Sequence, residues 1–507
     1  MLKKYPYIFA ASFCLLFLLS FKSTTDKLID VPILIKAGTA KITGSITSLG
    51  NANKNNIYVD IIAPQPISGE KARYKTLVDQ YGKFSIDIDV ETQISLIILK
   101  TSFDEERPLF VKLTSGGVTN INIVYNLNDE IHNIELIPAT NKNDVTLGFE
   151  VLDKMLRYQP SRAPEPLYNK STVYYLNYFK EVLSERLAVV DNDTLLSEEF
   201  KKMLSKDFKL FAYRGSPFDY AEAMRINYRN INPNESKQPD IQKIDRSYFG
   251  FLKDFKLNDP QYLQCPTFLE FQSRILQNEV LDLPEIGESE ISSWLAKVKA
   301  ILSDLVGFNN GPYYDILAAN AYARQLNEEV RPLTDKQKEN IEKYWKNGEI
   351  AKILLRKNQK IAELGEFKLP VVINEISSVS DDKVIETILS KYKNKVVLID
   401  LWATWCVPCL NAMEQFRSTK NEFKNKNVTF VYLTNVSSPK KLWEEKIKGI
   451  GSEHYYLKDS QWGHIMNHFG FEAIPSYLLY NKEGVLINKF TAFPGNEKMK
   501  EMINGLL

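Results

Sequence analysis

Val396-Val-Leu-Ile-Asp400-Leu-Trp402-Ala-Thr-Trp405-Cys406-Val407-Pro408-Cys409 is the stretch that decides the fold. Its first half, Val396 to Leu401, is the near-continuous apolar run that a strand buried on both faces requires. Its second half places two cysteines with two residues between them. A thiol in the turn leaving a strand, with a second thiol one helical turn later, closes into a small-ring disulfide with little backbone movement. If the first thiol opens a helix, unpaired N–H groups and the positive end of the helix dipole favour its thiolate. The chemistry read from these residues is thiol-disulfide exchange through a Cys406–Cys409 disulfide.

Working outward, Val428-Thr-Phe-Val-Tyr-Leu433 is a second buried strand, and Val407 to Lys424 between the two has helical character. Leu442 to Ile450 reads as another helix. Ser476 to Tyr480 and Val485 to Phe490 read as two strands about the turn Asn481-Lys-Glu-Gly484. Strand, helix, strand, helix and hairpin predict an α/β domain with a mixed sheet over 367–507. Upstream, over 144–366, the period is helical: Tyr174, Tyr178 and Val182 fall one turn apart, and similar patterns recur at Phe200–Phe211, Tyr248–Phe255, Phe268–Leu276, Ile291–Leu305 and Tyr313–Leu326. Turn signals such as Asn258-Asp-Pro260 and Asn309-Asn-Gly-Pro312 divide them, which predicts an all-α domain of antiparallel helices without a fixed repeat. Residues 36–137 alternate with period two, as in Phe84-Ser-Ile86-Asp-Ile88-Asp-Val90, between turn-rich pieces such as Gln80-Tyr-Gly82 and Ser115-Gly-Gly117. That pattern predicts an antiparallel β-sandwich. The whole is a multidomain chain.

A length of 507 residues suggests two to four domains, and 44% hydrophobic residues supply their cores. With 64 basic against 63 acidic residues there is no field to draw nucleic acid, which is excluded as a partner. Lys3 and Lys4 precede an apolar run from Tyr7 to Phe21, followed by Ser23, Thr24 and Thr25. This reads as a secretory signal over 1–23, with an uncleaved membrane anchor as the alternative. Cys14 follows the bulky Phe13, so lipoprotein processing is not expected. Removal of the signal leaves Cys265, Cys406 and Cys409, too few for a disulfide scaffold and suited to one redox pair plus a buried thiol. An exported dithiol stays reduced only if electrons are supplied to it.

Asp400 to Cys409, together with Ala473-Ile-Pro475-Ser-Tyr-Leu-Leu479, resembles the thioredoxin fold of the TlpA/ResA group. The β-rich start and helical middle are similar in architecture to the long TlpA-type disulfide reductases of Bacteroidetes. The resemblance implies a thiol-disulfide oxidoreductase of the periplasm or cell envelope, a disulfide reductase of envelope proteins. It implies no cofactor beyond the redox-active disulfide, and a membrane electron donor of the DsbD or CcdA type. Cys406 is then the attacking thiolate and Cys409 the resolving thiol. Val407 and Pro408 add no charge between them, which points to a reductant or a middling poise.

Asp400 closes an apolar strand, where a carboxylate is costly without work or partners. The resemblance makes it the proton acceptor for Cys409; bonding to nearby backbone N–H groups is the structural alternative. The resemblance also places Pro475 in cis opposite the dithiol, and Ile474 would pair with an extended substrate segment. Trp405, Val407 and Pro408 complete the expected substrate surface, and Trp402 is expected in the core. One position departs from the group: its usual Glu three residues after the second cysteine is Ala412 here, and Glu414 falls on another helix face, which leaves the potential and the choice of partner open.

His464 and His468, at i, i+4 spacing with His454 nearby, read as surface histidines rather than metal ligands, so no metal site is expected. The charge runs Lys420–Lys426 and Lys440–Lys448 read as solvated faces, and Cys265 as a buried apolar thiol. A peroxide-reducing enzyme would need a Pro, Thr and Cys loop that the chain lacks. The other functional class is an envelope binding or assembly protein using the thioredoxin-like part as a scaffold.

Overall fold

The computed structural model describes residues 34–50, 57–233, 239–365 and 370–507; the secretory signal read at 1–23 lies outside the described residues. Alternating apolar residues build the first eight strands: β1 (Ile35–Ser48), β2 (Tyr58–Gln65), β3 (Glu70–Leu77), β4 (Lys83–Thr92), β5 (Ile94–Thr101), β6 (Asp104–Thr114), β7 (Val118–Tyr125) and β8 (Ile131–Ile137). They form two sheets, ordered β4-β1-β7-β8 and β3-β2-β5-β6. Their apolar sides, including Ile42, Ile61, Ile88, Val111 and Ile121, are fully buried in one core. Neighbours run antiparallel except β1 and β7, which are parallel from Lys41 opposite Val118 to Ser48 opposite Tyr125. The antiparallel sandwich expected from sequence is therefore corrected to a mixed one. Side chains alternate identically in both pairings, so alternation carries no information about strand direction. Gly44 marks the close approach: a Cβ there would sit 1.8 Å from the Ile121 carbonyl oxygen.

Helices follow: α1 (Lys142–Arg157), α2 (Thr172–Asp191), α3 (Glu198–Gly215), α4 (Tyr220–Ile231), α5 (Phe268–Gln277), α6 (Ile291–Val306), α7 (Pro312–Asn327), α8 (Asp335–Trp345) and α9 (Glu349–Gly365). Asn141, Ser171, Ser197 and Thr334 cap α1, α2, α3 and α8 by accepting a backbone N–H. The stretch expected as a helix at Tyr248–Phe255 is a 3-10 helix, Arg246–Phe255. Phe249, Leu252 and Phe255, three residues apart, are all buried, and three residues per turn aligns them on one face. Among the described residues no helix is long and apolar enough to cross a membrane.

The last part contains β9 (Val371–Asn374), α10 (Val384–Lys391), β10 (Val396–Leu401), α11 (Val407–Asn421), β11 (Val428–Asn435), α12 (Lys440–Ile450), β12 (Ser452–Leu457), α13 (Asp459–Phe469), β13 (Ser476–Tyr480), β14 (Leu486–Thr491) and α14 (Asn496–Asn504). Its sheet runs β14-β13-β10-β11-β12-β9. The apolar β10 is central and wholly buried, parallel to β11 and antiparallel to β13.

One helix touches both neighbours of the helical part. Asn320 of α7 donates to the Pro66 and Ile67 carbonyls, both at 2.9 Å, and Asn327 donates to Ser68 O at 2.7 Å. From the same helix Arg324 pairs with Glu445 of α12, and Glu328 just beyond it pairs with Lys446.

Candidate active site

The central strand delivers the chain to the site. Asp400 is its penultimate residue, a short turn follows, and Cys406 caps the N-terminus of α11. Pro408 sits in the first turn, where its missing N–H costs nothing. The helix begins at Val407, whose side chain lies outside those described. Cys406 and Cys409 are joined by a disulfide with their Cα atoms 5.3 Å apart. The Cys409 backbone N–H donates to Cys406 Sγ at 3.2 Å. On reduction, that N–H and the helix N-terminus both stabilise a thiolate on Cys406.

The surroundings divide into an exposed rim and a buried back. Trp402 is fully buried, whereas Trp405 is 56% exposed and its indole N–H donates to Ser437 Oγ at 3.1 Å. Pro408 is also exposed. The Ile474–Pro475 peptide bond is cis, and the Ile474 carbonyl oxygen lies 3.7 Å from Cys406 Sγ. Trp405, Pro408, Ile474 and Pro475 thus border the dithiol.

Behind the dithiol, Asp400 is 6% exposed and its Oδ1 accepts no hydrogen bond among the described residues. Burial pushes its carboxyl well above the usual range, and Lys420 pulls the other way. Asp400 lines a small cavity of about 10 Å³, with Ala412, Met413, Tyr432 and Tyr477 among the other walls. Ala412 stands one turn beyond Cys409, so the cavity runs beneath the start of α11. Glu414 is exposed on another face of that helix.

Two buried groups escaped sequence reasoning. Lys420, read as part of a solvated run, is 5% exposed; its ammonium donates to Ile450 O at 2.5 Å and to the Tyr432 hydroxyl at 3.3 Å. Burial pushes it down to about 7. A signal for it existed: Cys409, Ala412, Met413, Phe416 and Lys420 fall on one helical stripe, and the other four are buried. His454, read as a surface histidine, is fully buried, with Nε2 2.9 Å from Gly451 O and its ring stacked on Tyr432 at 5.1 Å. Burial pushes it down to about 3. His464 and His468 are exposed and stacked at 5.9 Å. Among the described residues no group of three potential ligands could hold a metal.

The Redoxin family model matches residues 374–504. The thiol-disulfide oxidoreductase ResA of Geobacillus thermodenitrificans is 25% identical over 118 residues, 23% of this chain and 67% of that protein. ResA of Oceanobacillus iheyensis is 30% identical over 77 residues, 15% of this chain and 39% of its own length. Across these relatives the matched span runs from under half to about two thirds of their length. Among solved structures, StoA from Bacillus subtilis is 24% identical and covers 22% of this chain and 82% of its own, with a TM-score of 0.19. The thioredoxin domain of a thiol-disulfide oxidoreductase from Bacteroides vulgatus is 21% identical and covers 23% and 84%, with a TM-score of 0.21. Residues 374–504 are a Redoxin domain, and in sequence this chain is similar to the ResA thiol-disulfide oxidoreductases.

Proposed function

We propose that this protein is an exported thiol-disulfide oxidoreductase that reduces disulfides in proteins of the periplasm or cell envelope. The observation that carries the reading is the bonded Cys406–Cys409 pair at the start of α11, bordered by Ile474 and backed by the buried Asp400. In the reduced protein the Cys406 thiolate attacks one sulfur of a substrate disulfide. That S–S bond breaks, a Cys406–substrate disulfide forms, and the other substrate sulfur leaves as a thiolate that takes a proton from solvent. Asp400 accepts the proton of Cys409, and the Cys409 thiolate attacks Cys406 Sγ. The second substrate thiolate departs, so the substrate has gained two electrons and the dithiol has become the disulfide. A membrane donor of the DsbD or CcdA type would return two electrons by the same steps in reverse.

Trp405, Val407 and Pro408 would form the wall against which the substrate lies, and Ile474 would engage its backbone as a short strand. Residues 36–137 and 144–366 would serve as accessory domains to the unit at 367–507. The test is reduction of an exposed disulfide in a model protein. Cys406→Ser should abolish turnover and Cys409→Ser should accumulate a mixed disulfide, whose isolation from cells also identifies the substrate. Turnover that survives loss of both thiols overturns the proposal.

A further inference from the structure

Four side chains stand in one line across the sheet. Tyr477, Asp400, Tyr432 and His454 are successive register partners on β13, β10, β11 and β12, and all four are buried. Tyr477, Asp400 and Tyr432 also line the cavity that reaches Ala412 beneath α11. Lys420 enters from the last turn of that same helix and donates to the Tyr432 hydroxyl. The helix therefore holds the dithiol at one end and a buried ammonium at the other, and its Ala412, Met413 and Phe416 line the cavity that Asp400 also lines.

We propose that Lys420, held by Tyr432 and the Ile450 carbonyl, is a positioning residue for the exchange reaction: its buried positive charge keeps Asp400 able to ionise and so to take the proton of Cys409. This rests on the reading of Asp400 as that acceptor. The physical case is that a carboxylate in an apolar cavity with an unpaired oxygen is expensive to charge, and a cation close by in a low-dielectric interior offsets that cost. The groups facing Asp400 are limited. From α11 there is Lys420; Arg417 on the same helix acts on Tyr432 and opposes the charge on Lys420. Tyr432 and Tyr477 flank it, and His454 beyond Tyr432 is held neutral by burial. Ala412 brings no charge. Lys420 is thus the cation that acts on Asp400, and the step it assists moves one proton from Cys409 to Asp400 and no electrons.

The experiment is the pH profile of the resolving step. A mixed disulfide is preformed on Cys406 of the full-length protein, and release of the substrate thiol is followed by stopped flow. Lys420→Met should move the profile to higher pH and slow release by about tenfold below pH 7, where Lys420 carries its charge, with the difference shrinking above pH 7 as that charge is lost. Lys420→Arg, which keeps a charge, should restore most of the rate, and Tyr432→Phe should move the profile in the same direction by less. In an Asp400→Asn background Lys420→Met should have no further effect. An unmoved profile in Lys420→Met with only a lowered melting temperature overturns the inference, as does an undiminished effect in the Asp400→Asn background. If neither Lys420 variant folds, the Tyr432→Phe profile decides alone, an unmoved one counting against the inference. Failure of the wild type to form or resolve the mixed disulfide would instead overturn the exchange reading beneath it.

Discussion

Glu91 on β4 is the place where a single proton should change the joint between the sandwich and the helices. Its carboxyl is 1% exposed; Oε2 accepts the N–H groups of Ile67 at 2.7 Å and Ser68 at 3.1 Å. Those residues belong to the turn that Asn320 and Asn327 of α7 grip from the other side. The two N–H groups favour the charged form, but burial outweighs them and pushes the acid up to about 7 from an ordinary 4.5. Below 4.5 the group is neutral in both folded and unfolded chains. Between 4.5 and about 7 the unfolded chain ionises first, so stability falls as pH rises and then levels off. At ~1.4 kcal/mol per pH unit over that window the loss is roughly 3 kcal/mol. Glu91→Gln keeps an acceptor for Ile67 and Ser68 and removes the proton. Urea unfolding of both proteins should give nearly equal stability at pH 4 and an advantage of about 3 kcal/mol to the variant at pH 8. Amide exchange at Ile67 and Ser68 should follow the same trend. A difference that does not vary with pH, or one that favours the wild type at pH 8, refutes the reasoning.

Cys265 is buried, and burial pushes its thiol well up; alkylation of the reduced native protein should label Cys406 first and reach Cys265 only after denaturation, as read by mass spectrometry. A Cβ at Gly449 would stand 2.2 Å from the Glu328 carbonyl oxygen, so Gly449→Ala should push α12 off the end of α7. The expected cost is about 1–3 kcal/mol, with faster amide exchange along α12; unaltered exchange there would contradict it. His454, held at about 3 against an ordinary 6.5, contributes stability that is complete above 6.5 and lost as pH falls toward 3. His454→Phe should therefore lower the midpoint of acid unfolding, with up to roughly 5 kcal/mol at stake.

The centre of the C-terminal sheet was legible because β10 and β11 are buried on both faces, and continuous apolar runs have few other readings. Beyond β11, strand β12 and the edge strand β9 were not. β9 is four residues long with Val372 and Ile373 exposed, and β12 opens on Ser452 and Glu453, only half-buried. Edge strands bury less, so they carry less pattern. The dithiol was legible from its spacing, and its Ile474-Pro475 border only through the resemblance. Lys420 and His454 were not, because a Lys among charges and a His among polar residues look solvated until a tertiary partner appears. For Lys420 those partners are Ile450 and Tyr432, neither of them near in sequence. The direction of the β1–β7 pairing could not have been read at all from alternation.

That asymmetry bears on how the dithiol is tuned. Between the cysteines, Val407 and Pro408 offer no charge. Glu414 is exposed, where solvent screens it, and the buried Ala412 brings no charge. The buried charges on this side of the sheet are Asp400 and, bonded to Tyr432, Lys420. Interactions in a low-dielectric interior exceed those of exposed charges at the same distance several-fold. If Lys420 acts on Asp400 as proposed, substitutions along the buried line across four strands and at the far end of the helix should shift the balance between dithiol and disulfide more than neutral substitutions at Val407 or Pro408 do.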